Sequence, residues 1–237
     1  MTVPQPETDR SALADPEDDG RELVRLIEVM QTLRTQCPWD AQQTHRSLVQ
    51  YLIEETCEVV EAIESLDDGG SAADGDVEKR VADHDHLREE LGDLLLQVIF
   101  HANIAAESDP DFSVGAVARG VADKLIARHP YVYADDDVPQ DLDASWEQRK
   151  AAEKGRKSVL EGIPEQLSAL ARANKIISRA RSRSVPLEFA DEAITADDLG
   201  EQLITLAARA QAADIDPEQA ARDAVRRLES RIVEAEA

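Results

Sequence analysis

The chain has 237 residues, with 50 Asp and Glu against 26 Lys and Arg, a formal charge of −24. This acidity argues against nucleic-acid polymers and anionic membranes as partners, because there is no basic surplus to neutralise phosphates. Aromatic residues, at 3%, are too few for an oligonucleotide-stacking surface.

Residues 1–20 carry Pro4, Pro6, Pro16 and an acidic cluster with little to bury, so they are expected to form a disordered acidic tail. No apolar signal region follows, and no run of about 18 apolar residues occurs, so a cytoplasmic chain is expected. Leu23, Leu26, Ile27, Met30 and Leu33 recur on one helical face, predicting a helix over 22–34. It ends before Cys37-Pro38, where the proline pushes Cys37 toward an extended conformation. Neither Cys37 nor Cys57 has a partner at zinc spacing, and two cysteines make no disulfide framework.

A second helix is predicted over 47–66, then a Gly- and Asp-rich loop, then a third helix over 83–106. A fourth spans 114–129 and stops at His129-Pro130. An acidic loop, helices over 144–157 and 163–183, a connector, and helices over 196–213 and 217–237 complete the chain. Strand signals are absent, so the fold class is all-α, a helical bundle.

The chemistry concentrates in the second and third helices. Leu48, Leu52, Val59, Ile63 and Leu66 share one arc of the second helix, which Val49, Ile53 and Val60 extend. Glu54, Glu58 and Glu61 lie opposite, and Glu55 sits at the margin. Four Glu without an interleaved cation repel one another. The third helix is apolar nearly all round, which predicts a buried helix, except for a stripe of Glu90, Asp93, Gln97 and His101. Ionised carboxylates in a core need a cation, and no Lys or Arg of that helix faces them. Glu55 and Glu58 are the natural co-ligands of Glu90 and Asp93. Gln97 and His101 are expected to be inner hydrogen-bonding residues rather than ligands. An oxygen-only cage selects Mg²⁺, Mn²⁺ or Ca²⁺ over zinc, and Mg²⁺ is the expected cofactor with Mn²⁺ as substitute. The pairs lack the His of Glu-x-x-His di-iron sites.

These residues resemble the MazG nucleoside triphosphate pyrophosphohydrolases. Glu54-Glu55-x-x-Glu58 followed by Glu90-x-x-Asp93 is similar to their signature. So are Cys37-Pro38-Trp39-Asp40, Leu91-Gly92-Asp93-Leu94-Leu95, Arg128-His129-Pro130-Tyr131-Val132-Tyr133 and Trp146-Glu147, in the same order over about residues 22–185. The resemblance implies Mg²⁺-dependent hydrolysis of (d)NTPs to (d)NMP and pyrophosphate on a dimeric or higher homo-oligomeric helical scaffold, with a role in nucleotide-pool housecleaning. It makes Glu55, Glu58, Glu90 and Asp93 metal ligands, and Glu54 a further ligand or water-orienting group. Lys124 and Arg128 would hold phosphate oxygens, and Trp146 would pack on the nucleotide. The general base is Glu54 or Glu61, between which the sequence does not choose. The acidic pocket and the triphosphate repel until a cation bridges them.

An internal echo follows. Glu89-Glu90-Leu91-Gly92-Asp93-Leu94-Leu95 resembles Asp197-Asp198-Leu199-Gly200-Glu201-Gln202-Leu203, and Lys124-Leu125 with Arg128 resembles Arg227-Leu228 with Arg231. No Glu-Glu-x-x-Glu helix precedes Asp198. The expected organisation is therefore the tail 1–20, a catalytic domain 21–158, a linker helix 159–185 and a truncated, non-catalytic second half-domain 186–237. Two other readings carry different tests. One is a narrow-specificity relative acting on dUTP/dCTP or phosphoribosyl-ATP. The other is a non-catalytic bundle that senses nucleotides.

Overall fold

A computed structural model of the protein describes residues 15–66, 77–134 and 136–236. Among these residues there are helices and no strands. The helices are α1 (Pro16–Gln36), a 3-10 turn (Asp40–Gln42), α2 (Val49–Ser65), α3 (Val77–Ala106), α4 (Val114–Arg128), α5 (Pro130–Tyr133), α6 (Leu142–Glu153), α7 (Ala169–Ser182), α8 (Ala196–Ala212) and α9 (Pro217–Glu236). None of the described helices is long and apolar enough to cross a membrane. The first fourteen residues of the expected tail and the Gly- and Asp-rich loop at 67–76 lie outside the described residues.

Several boundaries differ from expectation for identifiable reasons. Residues 16–20 are helix rather than tail. Asp15 caps α1 by accepting a hydrogen bond from the Glu17 amide at 2.9 Å, Pro16 occupies the first turn, and Glu17, Asp18 and Asp19 face the positive end of the helix dipole. α3 begins at Val77, six residues early. α7 begins at Ala169 rather than 163, because Pro164 disfavours helix at Ile163 and Gly162 takes φ +69°. Ser168 then caps α7 through the Ala171 amide.

The chain divides into two compact units, Met1–Lys124 and Leu125–Ala237, so the expected 21–158 domain falls across both. In the first unit α1, α2 and α3 enclose Met30, Leu48, Ile99 and Phe100. Arg34 fastens this unit at one end. Its guanidinium donates to the Glu107 carboxylate at 2.5 and 3.1 Å and to the backbone carbonyls of Asp40 and Gln43. Trp39 packs edge-on against Tyr51 and Phe100. The Cys37–Asp40 stretch is thus a structural clasp between α1 and α3.

α3 is not buried on every side. Ile99 and Phe100 are covered, but Leu91 and Val98 are exposed, as are Val49, Ile53, Val60 and Ile63 on α2. Half of the apolar arc of α2 read from the sequence is therefore exposed among the described residues.

In the second unit α7 and α9 enclose Val159, Ile163, Ile176, Ala180, Val225 and Ile232. Residues 159–182 are thus central to this unit's core rather than a linker. Arg179, 4% exposed, donates to the carbonyls of Val159 and Glu161 at 3.1 and 2.9 Å. Arg172 grips Glu229 at 2.7 Å and the carbonyls of Ile163 and Pro164. These arginines hold the irregular 159–168 segment against α7. At the start of α8, Thr195 caps the helix through the Asp198 amide and donates to the Asp198 carboxylate at 2.7 Å. The Asp198 of the internal echo is therefore used to start a helix.

Candidate functional site

α2 and α3 pack along their length. Their 3.6-residue period places Glu55 and Glu58 on adjacent turns of α2, opposite Glu90 on α3. Carboxylate oxygens of Glu55, Glu58 and Glu90 lie within 4.8 Å of one another, close enough to share one cation. Glu55 and Glu90 are partly buried and Glu58 is exposed. The Glu55 carboxyl is held above its ordinary range by burial first, then by the charges of Asp93 and Glu58, a hydrogen bond with Glu58, and the charge of Glu90. Asp93 therefore lies within electrostatic reach of Glu55 but outside the tight three-residue group. Such a set repels itself, and a hard divalent cation offsets the repulsion with the oxygen donors it prefers. The residues fit Mg²⁺.

One neighbour escaped the sequence reading. His86 Nε2 lies 3.2 Å from Glu90 Oε1, one helical turn away. The i, i+4 spacing was the available signal, but a His–Glu pair on an exposed turn reads as ordinary surface. Glu54 and Glu61 are both exposed and stand outside the three-residue group.

The polar stripe of α3 continues inward. Gln97 is 6% exposed and its Oε1 has no partner. His101 Nδ1 meets His45 Nδ1 at 2.8 Å with the rings stacked. One nitrogen must donate and the other accept, so the pair shares one proton. Burial, then the His45 charge, lowers the His101 pKa. His101 is thus a hydrogen-bonding inner residue as expected, whereas the Gln97 carbonyl is left unpaired.

Lys124 is exposed and ends the first unit, while Arg128 and Trp146 belong to the second. Arg128 is buried. Its Nε and Nη2 donate to Glu153 at 2.8 and 2.6 Å, and its guanidinium lies 5.1 Å from the Trp146 ring. His129 also packs on Trp146, and Arg149 donates to the Arg128 carbonyl. Glu153 is the residue that the sequence missed here. It lies 25 positions beyond Arg128, and no local pattern links the two.

Comparison with known proteins bears on this arrangement. The profile of the MazG nucleotide pyrophosphohydrolase domain matches residues 43–133, which hold both carboxylate pairs. The chain is 42% identical over 209 residues to an uncharacterized 26.1 kDa protein of Streptomyces cacaoi, covering 86% of this chain and 78% of that one. It is 39% identical over 208 residues to the nucleoside triphosphate pyrophosphohydrolase of Mycobacterium tuberculosis, covering 87% of this chain but 55% of that protein. The chain therefore spans little more than half of that relative's length. To the nucleoside triphosphate pyrophosphohydrolase/pyrophosphatase MazG of Thermotoga maritima it is 34% identical over 228 residues, covering 87% of this chain and 82% of that one. With two opposed carboxylate-bearing helices, the matching profile and a relative aligned over most of both lengths, the chain belongs to the MazG nucleotide pyrophosphohydrolase family.

Proposed function

We propose that the chain hydrolyses (deoxy)nucleoside triphosphates to the nucleoside monophosphate and pyrophosphate, with Mg²⁺, as a nucleotide-pool housecleaning enzyme. The carrying observation is the group of Glu55, Glu58 and Glu90, three carboxylates within 4.8 Å of one another, with the His86 imidazole 3.2 Å from Glu90. The names of the M. tuberculosis and T. maritima relatives support the same activity.

Glu55, Glu58, Glu90 and Asp93 hold the cation. When bound, Mg²⁺ supplies the positive charge that lets a triphosphate approach an acidic surface, and it acidifies water. His86 orients the Glu90 carboxylate. Glu54 and Glu61 are the two carboxylates available as general base, and one of them takes the proton from the attacking water. The water oxygen forms a bond to the α-phosphorus. The bond from that phosphorus to the bridging oxygen breaks, and pyrophosphate leaves with the electron pair. Lys124 and Arg128 hold phosphate oxygens, with Glu153 and Trp146 fixing the Arg128 guanidinium. Trp146 packs on the nucleotide. The exposed apolar faces of α2 and α3 are covered in a homodimer.

Pyrophosphate release from each of the four dNTPs, with and without Mg²⁺, tests the proposal. Mg²⁺-dependent release from several dNTPs is expected. A single active nucleotide points to a narrow-specificity relative, and no release by the folded protein overturns the activity. Hydrolysis in ¹⁸O-water places label in the monophosphate if attack is at the α-phosphorus. Label in pyrophosphate overturns that step. Glu90→Gln abolishes turnover and leaves helicity intact.

A further inference from the structure

α4 is left without cover along most of its length. Val114, at its start, packs against the Met30 and Phe100 core. From Val117 to Ala127 every residue is exposed. The helix has 15 residues and carries Gly115 and Gly120. An isolated helix of about 12–15 residues is marginal in water, and each interior glycine costs it about 1 kcal/mol relative to alanine. Such a helix is held by burying an apolar face.

α4 has that face. Val117, Val121 and Leu125 follow one another at i, i+4 and i+8, and Ala118, Ala122 and Ile126 widen the arc to about half of the helix. Val121 is 48% exposed and Ile126 47%. Arg119 borders the arc on one side and Lys124 on the other, while Asp123 lies on the far side.

α2 offers the complement. Val49, Ile53 and Cys57 are likewise exposed at i, i+4 and i+8, with Val60 beside them. Rows of this spacing interdigitate when two helices pack. α2 holds Glu54, Glu55, Glu58, Glu61 and Glu64 and no Lys, Arg or His. Glu54 and Glu61 run along one edge of the exposed row. Both faces stand uncovered in the same chain, so α4 does not lie on its own α2. Two copies related by a two-fold axis cover both at once, since α4 of each meets α2 of the other. A different protein would need an acid-bordered face for α4 and a separate cation-bordered one for α2, whereas a second copy has both.

We propose that α4 of each copy docks on α2 of a second copy, with Lys124 laid along the edge formed by Glu54 and Glu61 of that second copy. The cation site then takes its lysine from outside its own chain. Within one chain the charges that act on the Glu55 carboxyl, beside burial, are those of Asp93, Glu58 and Glu90, all acids. The docking is carried by the two faces alone. The use of Lys124 on phosphate rests on the function proposed above.

Disulfide trapping between chains tests the docking. In the full chain with Cys37→Ser and Cys57→Ser, helical by circular dichroism, Ile53→Cys and Val121→Cys are placed on separate copies. Co-expressed and oxidised with diamide, the two give a covalent dimer on non-reducing gels, and neither gives one alone. Covalent dimer from either variant alone overturns the proposal, because like helices then pair. So does an intrachain bond when one chain carries both cysteines, a mixture that gives no cross-link, or a folded wild type that sediments as a monomer. Complementation tests the shared site without new cysteines. Lys124→Ala and Glu90→Gln are each impaired, and their co-expression restores about one quarter of wild-type turnover, because half of the dimers are mixed and each has one intact site. No recovery beside a positive cross-link overturns the sharing of the site. Absence of turnover in the wild type strikes the proposed activity, and the cross-link still decides the docking.

Discussion

Replacing Glu55 by Gln separates a metal-holding carboxylate from a solvated surface charge. The Glu55 oxygens lie within 4.8 Å of those of Glu58 and Glu90. Two unit charges at that separation repel by about 0.9 kcal/mol in water and about 3.5 kcal/mol at an effective dielectric of about 20. Glu58 is exposed, so the lower figure governs. Glu55→Gln removes two such pairs and keeps a donor for the Glu58 carboxylate. After screening by salt, the metal-free chain gains about 1 kcal/mol, or about 4 °C in the Tm of a unit this size. Mg²⁺ at ten times its Kd stabilises the wild type by about 1.4 kcal/mol, and Glu55→Gln loses most of that gain. Differential scanning fluorimetry with EDTA and across a Mg²⁺ series reads both effects. A variant less stable than wild type in EDTA, or one stabilised by Mg²⁺ to the same extent, refutes the metal role of this cluster.

Glu153→Gln weakens the grip on Arg128, which Glu153 holds through two hydrogen bonds, and is expected to change KM for dNTP more than kcat in steady-state assays. Arg179→Met leaves the Val159 and Glu161 carbonyls without their donor and costs about 2–4 kcal/mol by urea unfolding. Glu107→Gln tests the clasp at Arg34. The Arg34 hydrogen bond holds the Glu107 carboxyl below its ordinary range despite some burial, so its contribution is present above the unfolded carboxylate pKa and is lost as pH falls through the folded one. The variant is less stable than wild type at pH 7 by under about 1 kcal/mol, and the gap closes on acidification. Ile53→Glu, on the exposed face of α2, is expected to lower the oligomeric state in sedimentation velocity without lowering helicity if the proposed homodimer forms through this face.

The all-α class and the opposition of the two carboxylate helices were legible because both follow from periodicity. Glu55 and Glu58 are one turn apart, as are Glu90 and Asp93, and an antiparallel or parallel packing of two apolar faces brings such pairs near each other. What was not legible depended on residues distant in sequence. The Arg128–Glu153 pair and the Arg172–Glu229 pair have no local signature. The start of α1 was misread for another reason. Asp15, Pro16 and the acids after them suit a disordered tail by composition and a helix N-terminus by position, and only the ordered apolar face beyond them decides between the two. The start of α7 shows the reverse error, since apolar Ile163 and Leu167 suggested helix while Pro164 and Ser168 forbade it until Ala169.

The same limit explains why α3 seemed buried all round. An apolar side chain states that it will be covered and is silent about what covers it. Ile99 and Phe100 find cover inside the chain, while Leu91 and Val98 on the same helix, with Ile53 and Val60 across on α2, do not. Val49, Ile53, Val60 and Ile63 recur on one exposed face of α2, so several large apolar side chains share that face. That face lies on one of the two helices that also carry the proposed cation site. Burying it against a second copy would stiffen α2 and α3 at the point where three carboxylates must be held together against their own repulsion. Assembly and metal binding are then coupled: Mg²⁺ should tighten the dimer, and Ile53→Glu should weaken Mg²⁺ binding although it removes no ligand.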